Sequence, residues 1–181
     1  MKITETGLEG CFILEPAVYE DLRGSFSETY NEKGFEEVAG TRVHFVQDNQ
    51  STSKKGVIRA LHYQRGKHAQ AKLVRVLQGE VLDVAVDLRR DSVTFGKHIA
   101  ILLSGENNKQ LFIPRGFAHG FATLSEKAVF FYKCDNYYNR ESEGGIIFND
   151  PGLNIDWKLA KSEIILSPKD AGLPHLKDAQ L

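Results

Sequence analysis

Five side chains interrupt runs that are otherwise apolar. Val57-Ile-Arg-Ala-Leu-His-Tyr-Gln64 carries Arg59 and His62, and Gln70-Ala-Lys-Leu-Val74 carries Lys72. Ile113-Pro-Arg-Gly-Phe-Ala-His-Gly-Phe121 carries His119 in a glycine-flanked turn that enters a strand, and Ala128-Val-Phe-Phe-Tyr132 ends on a tyrosine. Taken singly, each has an ordinary explanation. A histidine or tyrosine within a strand more often packs than reacts, and a basic residue in an alternating strand more often faces solvent. Taken together they suit one kind of reaction. Histidine removes a proton near neutral pH. A lysine ammonium is a compact cation that stabilises an enolate oxygen. Tyrosine returns a proton from the opposite side. The set fits proton abstraction beside a carbonyl followed by reprotonation.

Metal catalysis is the competing reading. The six histidines are His44, His62, His68, His98, His119 and His175. Barrel metal sites usually offer a His-x-His pair, then a Glu and one more His. Pro114-x-Gly116-x-x-His119 resembles the second half of such a signature. The first half fails, because Tyr63 and Gln64 follow His62 and no Glu stands at a matching distance. Lys72 would also repel a cation, so no metal is expected. Neither a phosphate-binding Gly-rich Lys-Ser/Thr loop, nor a dinucleotide Gly-x-Gly-x-x-Gly, nor a Gly-x-Ser-x-Gly elbow occurs.

The elements that must position these residues are strands, since the dominant period is two. In Glu80-Val-Leu-Asp-Val-Ala-Val-Asp-Leu88, residues Leu82, Val84, Val86 and Leu88 face one way and Asp83, Ala85 and Asp87 the other. Gln78-Gly79 joins this run to Lys72–Leu77 and carries a hairpin signal. Further short runs lie at Cys11–Leu14, Val43–Gln47, Val57–Gln64, His98–Leu103, Gln110–Pro114, Phe121–Leu124 and Ala128–Tyr132. Such punctuation predicts an all-β antiparallel sandwich or barrel, and small closed barrels often hold one ligand inside. Asn31–Val38 is the one clear helix, opening on Asn31 as a cap with Gly40 just past its end. Asn149-Asp-Pro-Gly152 is a turn, Ser167-Pro-Lys-Asp170 a second turn or the start of a short helix, and the last thirty or so residues an extension packed on the barrel.

The 181 residues are expected to form one domain spanning 1–181. Lys plus Arg is 23 against 24 Asp plus Glu, a net charge of −1, which argues against a protein that coats nucleic acid. Hydrophobic residues at 41% argue against disorder. No apolar run reaches membrane-spanning length and the first ten residues carry no signal peptide, so the expected location is cytoplasmic, with no membrane partner. Cys11 and Cys134 sit in apolar runs and are expected to be buried free thiols.

The sequence also resembles a known family, the dTDP-4-dehydrorhamnose 3,5-epimerases (RmlC family) of the cupin superfamily. The resemblance rests on Asp21-Leu-Arg-Gly-Ser-Phe-Ser-Glu28, Gln47-Asp-Asn-Gln-Ser51, Gly56–Gln64, Gln70–Val76, Asp83–Arg89, Ile113–Phe121, Tyr132-Lys133, Tyr137-Tyr138, Glu143-Gly144 and Asn149-Asp150. It implies a cupin-type jelly-roll barrel and cofactor-free epimerisation at C3 and C5 of a dTDP-4-keto-6-deoxy sugar, in dTDP-L-rhamnose biosynthesis. His62 would be the base, Asp170 the carboxylate that orients it, Tyr132 the acid and Lys72 the enolate stabiliser. Arg23 and Arg59 would hold the diphosphate and Tyr138 would stack on thymine. Phe26, Glu28, Gln47, Asn49, His119, Glu143 and Lys169 would complete the pocket. The resemblance further implies a homodimer, with Arg23, Phe26 and Glu28 serving the partner's site.

Two features need an account. Ala60 stands where the family usually has glycine, and is expected to be tolerated while narrowing the pocket or shifting the strand. Arg59 and His62 are three apart, so a regular strand would point them to opposite sides. For both to reach one ligand the strand must end, twist or bulge. The alternatives to double epimerisation are a mono-epimerase for another deoxysugar, a non-catalytic nucleotide-sugar-binding barrel, and a metal-dependent cupin enzyme.

Overall fold

The structure, a computed structural model, describes residues 1–181. In chain order the elements are β1 (Lys2–Glu5), β2 (Phe12–Glu15), β3 (Tyr19–Asp21), β4 (Gly24–Phe26), α1 (Glu32–Ala39), β5 (Gln47–Lys54), β6 (Ile58–Gln64) and β7 (Lys72–Gln78). They continue with β8 (Glu80–Asp87), β9 (His98–Ser104), β10 (Gln110–Ile113), β11 (Phe117–Thr123), β12 (Lys127–Cys134), β13 (Glu143–Gly145) and α2 (Pro168–Ala171). One sheet runs β1-β2-β10-β7-β12-β5 and the other β13-β6-β11-β8-β9, while β3 and β4 form a separate hairpin. All strand pairings are antiparallel. This is the jelly-roll architecture that the strand pattern and the family resemblance imply. No helix is long and apolar enough to cross a membrane.

Three apolar layers hold it together. Val74, Val76, Val81, Ala85, Leu111, Ile113, Phe117, Phe121 and Phe130 fill the space between the sheets. Leu82, Val84 and Val86 face outward, where Leu153, Trp157 and other residues of the C-terminal extension cover them. Both faces of β8 are therefore buried, and its alternation separates an all-apolar outer face from an inner one that carries Asp83 and Asp87. The outer face of the other sheet is covered by α1 through Phe35, which packs on Phe112 at 5.2 Å and Phe12 at 6.1 Å between ring centroids. Burying such a side chain contributes about 1.5–3 kcal/mol. Helix α1 begins where expected. The Asn31 side chain accepts from the Gly34 N–H, and Gly40 closes the helix at φ 64°.

Three expectations change. First, Gln78-Gly79 makes no hairpin: β7 and β8 lie in different sheets. Gly79 turns the chain from one sheet to the other at φ 80°, so close to β12 that a Cβ would overlap the Lys127 carbonyl. Periodicity identifies strands and not their partners. Second, no strand forms at Val43–Gln47; the strand is Gln47–Lys54, a polar edge strand paired only with β12. Val43 is buried beneath α1 and Phe45 packs with it in extended chain. Third, β11 starts at Phe117 rather than Phe121, so His119 lies within a strand and the turn is made at Gly116, φ 85°. The polar N-terminus supplies β1, paired with β2.

Candidate active site

The strand carrying Arg59 and His62 is bulged. Across β6 and β11, His119 pairs with His62 and Phe121 with Arg59, so two residues of β6, Ala60 and Leu61, lie opposite the single Gly120 of β11. The extra residue turns Arg59 and His62 to the same side. Ala60 and Leu61 both pack outward in the layer under the C-terminal extension. This corrects the expectation for Ala60, which touches the outer core and leaves the cavity width unaffected. The bulge needs Gly120 opposite it, because a Cβ there would lie 2.7 Å from both the Ala60 Cα and the Arg59 carbonyl oxygen.

A cavity of about 640 Å³ opens inside this end of the barrel. Arg59 and His62 come from β6, His119 from β11, Lys72 from β7, Tyr132 from β12 and Gln47 and Asn49 from β5. Glu143 of β13, Lys169 and Asp170 of α2, and Tyr138 complete the set. Eleven of the fourteen residues singled out from the sequence thus line one space. Arg23, Phe26 and Glu28 do not. Arg23 is exposed and paired with Asp21, Phe26 is 69% exposed, and Glu28 lies beyond the hairpin.

The polar groups are organised in pairs. His62 Nε2 lies 2.8 Å from Asp170 Oδ1. Asp170 is buried in α2, whose first turn is capped by Ser167 accepting from the Asp170 N–H. Glu143 accepts from the Lys169 ammonium at 2.6 Å and from the Tyr138 hydroxyl at 3.0 Å. Burial alone would raise the Glu143 carboxyl, but these two donors bring it below its ordinary value. The Tyr138 N–H donates to Gln47 Oε1, and Gln47 Nε2 donates to Asn49. Arg59 Nε donates to Ser53, which points the guanidinium along the cavity wall. Lys72 lies 5.8 Å from the centre of the Tyr132 ring and makes no ion pair. Burial pushes Lys72 down and the Tyr132 phenol up. His119 is also pushed down by burial, against the upward pull of Asp83.

Sequence reasoning missed several lining residues. Gln50, Ser51, Gln64 and Gln70 fall within the stretches that carry the family resemblance, and with Ser167 they line the cavity without having been given a role from the sequence. Cys134 lines the cavity as a buried free thiol pushed up to about 11 by burial. Cys11 is likewise buried and unpaired. No three His, Cys, Asp or Glu side chains converge as a metal-ligating group.

A jelly roll whose interior holds a histidine–aspartate pair, a buried ammonium and a phenol has the composition of a cupin-fold isomerase that moves protons next to a carbonyl. Residues 5–178 match the model of the dTDP-4-dehydrorhamnose 3,5-epimerase family, and the chain belongs to that family. It is 53% identical over 181 residues to the dTDP-4-dehydrorhamnose 3,5-epimerase of Salmonella typhimurium, covering 100% of this chain and 98% of that one. The crystal structure of the same-named enzyme from Elizabethkingia anophelis superposes with a TM-score of 0.95 at 60% identity, covering 98% of this chain and 97% of that one. The Legionella pneumophila RmlC structure, in complex with dTDP-4-keto-L-rhamnose, gives 0.94 at 51%, covering 98% and 93%.

Proposed function

We propose that this chain converts dTDP-4-dehydro-6-deoxy-D-glucose to dTDP-4-dehydro-L-rhamnose by inverting C3 and C5, with no added cofactor, in dTDP-L-rhamnose biosynthesis. The observation that carries this reading is the disposition of base and acid. His62 and Tyr132 come from opposite sheets and line the same cavity, with Lys72 beside Tyr132. His62 takes a proton from carbon next to the ketone. The C–H electron pair moves into the C–C bond and the carbonyl oxygen becomes an enolate, which the Lys72 ammonium stabilises. Asp170 stabilises the imidazolium. Tyr132 then donates its proton to the opposite face of that carbon, and the protein is reset when the phenolate regains a proton and His62 releases one. The same cycle at the second carbon completes the double inversion. The substrate's own ketone acidifies both positions, so the protein supplies only placement and charge. Arg59 holds the diphosphate as a fork donor, and Tyr138 stacks on the base.

The working unit in this reading is a homodimer, in which the hairpin bearing Arg23 and Phe26, together with Glu28, completes the neighbouring chain's cavity. The exposed Tyr19, Leu22 and Phe26 supply an apolar surface for that contact. The reaction belongs in the cytoplasm, where the two buried thiols stay reduced.

The test is incubation with the substrate in deuterium oxide, followed by proton NMR. Label at both C3 and C5 is expected, and His62→Ala should abolish it while the circular dichroism spectrum stays unchanged. Label at one carbon only identifies a mono-epimerase. Binding without label identifies a sugar-nucleotide receptor, and either result displaces this reading.

A further inference from the structure

Four aspartates lie almost wholly out of solvent: Asp83, Asp87, Asp150 and Asp170. Two of them serve the fold. Asp87 accepts from Arg89, Ser92 and Thr94 side chains and from the Arg89 N–H, with both oxygens engaged. Asp150 accepts from the N–H groups of Gly152, Leu153 and Leu176, again with both oxygens engaged. Each closes a loop. The other two each hold one cavity histidine, Asp170 on His62 and Asp83 on His119 Nε2 at 2.9 Å. These histidines are cross-strand neighbours in the β6–β11 register and project from the same face of the sheet.

Asp83 differs from the loop-closing pair in a telling way. It is fully enclosed and lies behind His119, outside the cavity lining. Its Oδ2 bonds His119, while its Oδ1 has no hydrogen-bond partner. A buried carboxylate oxygen left bare carries a desolvation penalty that a purely structural aspartate avoids. Its one bond goes to a ring that faces the sugar site.

We propose that Asp83 is a positioning residue for the reaction: it holds His119 as the Nε2–H tautomer, so that the Nδ1 lone pair accepts from a ring hydroxyl of the sugar. This rests on the function proposed above. Burial keeps the ring neutral, with Lys72 and His62 adding to the push, so it carries one proton. The carboxylate at Nε2 fixes where that proton sits. Nδ1 has no protein partner. Phe130 stacks on the ring at 5.9 Å between centroids and sets its plane. A 4-keto-6-deoxy sugar linked through C1 has free hydroxyls at C2 and C3 only. An acceptor beside His62 on the same wall therefore holds those hydroxyls so that the carbons next to the ketone lie against the base.

The test begins with the unliganded wild-type protein labelled with 15N-histidine. Long-range 1H–15N spectra at neutral pH, assigned with His119→Gln, should show His119 protonated on Nε2 alone. An imidazolium, or a proton on Nδ1, overturns the proposal. Asp83→Asn should then lose about 10–100-fold in kcat/KM for the keto sugar, as removal of a group that orients a functional histidine does. Its affinity for dTDP, which does not use the sugar subsite, should stay unchanged. Unchanged turnover, or dTDP affinity falling in step with turnover, overturns the proposal. Should Asp83→Asn fail to fold, the wild-type spectrum still decides. A wild-type protein with the expected tautomer but no deuterium exchange overturns the epimerase reading instead, so the two failures are separable.

Discussion

Tyr132 and Lys72 sit side by side in a setting that acts oppositely on their protonation. Burial raises the phenol, which keeps it a proton donor, and lowers the ammonium, which the carboxylates of Asp83 and Glu143 partly restore. A neutral phenol can hand over a proton only after an enolate has formed, and the adjacent cation stabilises the phenolate left behind. In the mechanism proposed above, Tyr132→Phe removes the donor and leaves the base and the enolate stabiliser in place. It should retain deuterium exchange on the face served by His62 while slowing product formation by about 10²–10⁴-fold, the usual contribution of a positioned acid. A Tyr132→Phe protein that epimerises at the normal rate assigns the acid elsewhere. At this scale the sequence was informative wherever a polar side chain broke an apolar run, which is how Arg59, His62, Lys72, His119 and Tyr132 stand out. Asp170 and Glu143 emerged only through the family resemblance, because an acid in a turn has no distinguishing pattern. Asp83 was visible as one member of the alternation in β8, but its bond to His119 is made across two strands.

The bulge in β6 is the element on which the site depends, and it exists because β11 offers no side chain at Gly120. Gly120→Ala places a methyl group 2.7 Å from the Ala60 Cα and the Arg59 carbonyl. Relief requires β6 and β11 to separate, at about 1–3 kcal/mol as for other overpacked cores. The same shift moves Arg59 and His62 together. The variant should melt earlier and lose kcat/KM for the keto sugar beyond what the fraction folded explains. Gly34 in α1 makes the contrast. A Cβ there meets nothing closer than 3.8 Å, and the helix gains from a less flexible chain. Gly34→Ala should stabilise by about 0.5–1 kcal/mol without altering turnover. Opposite signs in chemical denaturation would confirm that the two glycines serve different ends; a neutral Gly120→Ala would remove the steric account of the bulge. Helix α1 was legible because its cap, its length and its closing glycine are local. The Arg59–His62 spacing announced some irregularity, yet its form is set by β11, sixty residues away in the chain. The sheet change at Gly79 was illegible for the same reason, since the glycine answers to the Lys127 carbonyl and not to its own neighbours.

For the whole molecule, acid sensitivity follows from what the barrel encloses. His119 has a folded pKa below its ordinary value of 6.5, so between the two values the unfolded chain binds more protons than the folded one. Its contribution to stability is complete above about 6.5 and is lost as pH falls below it. Glu143, also lowered, adds a second loss below its ordinary 4.5. Melting temperature should therefore decline from pH 7 to pH 5, and His119→Gln should flatten that decline; an equal slope in both proteins would place the titrating group elsewhere. The proposed homodimer has its own test. The hairpin of β3 and β4 leaves Tyr19 and Phe26 exposed and keeps Arg23 away from its own cavity. If Arg23 works in the neighbouring chain, a site consists of one chain's cavity and the other's hairpin. Arg23→Ala spoils the hairpin and His62→Ala spoils the cavity, so each homodimer is inactive. A heterodimer of the two has one doubly damaged site and one intact site. Unfolding and refolding an equal mixture should restore roughly a quarter of wild-type activity, since half the dimers of a two-fold assembly are mixed and each contributes one of two sites. Were Arg23 to act within its own chain, no mixed dimer would contain an intact site, and the mixture would remain as inactive as its parents.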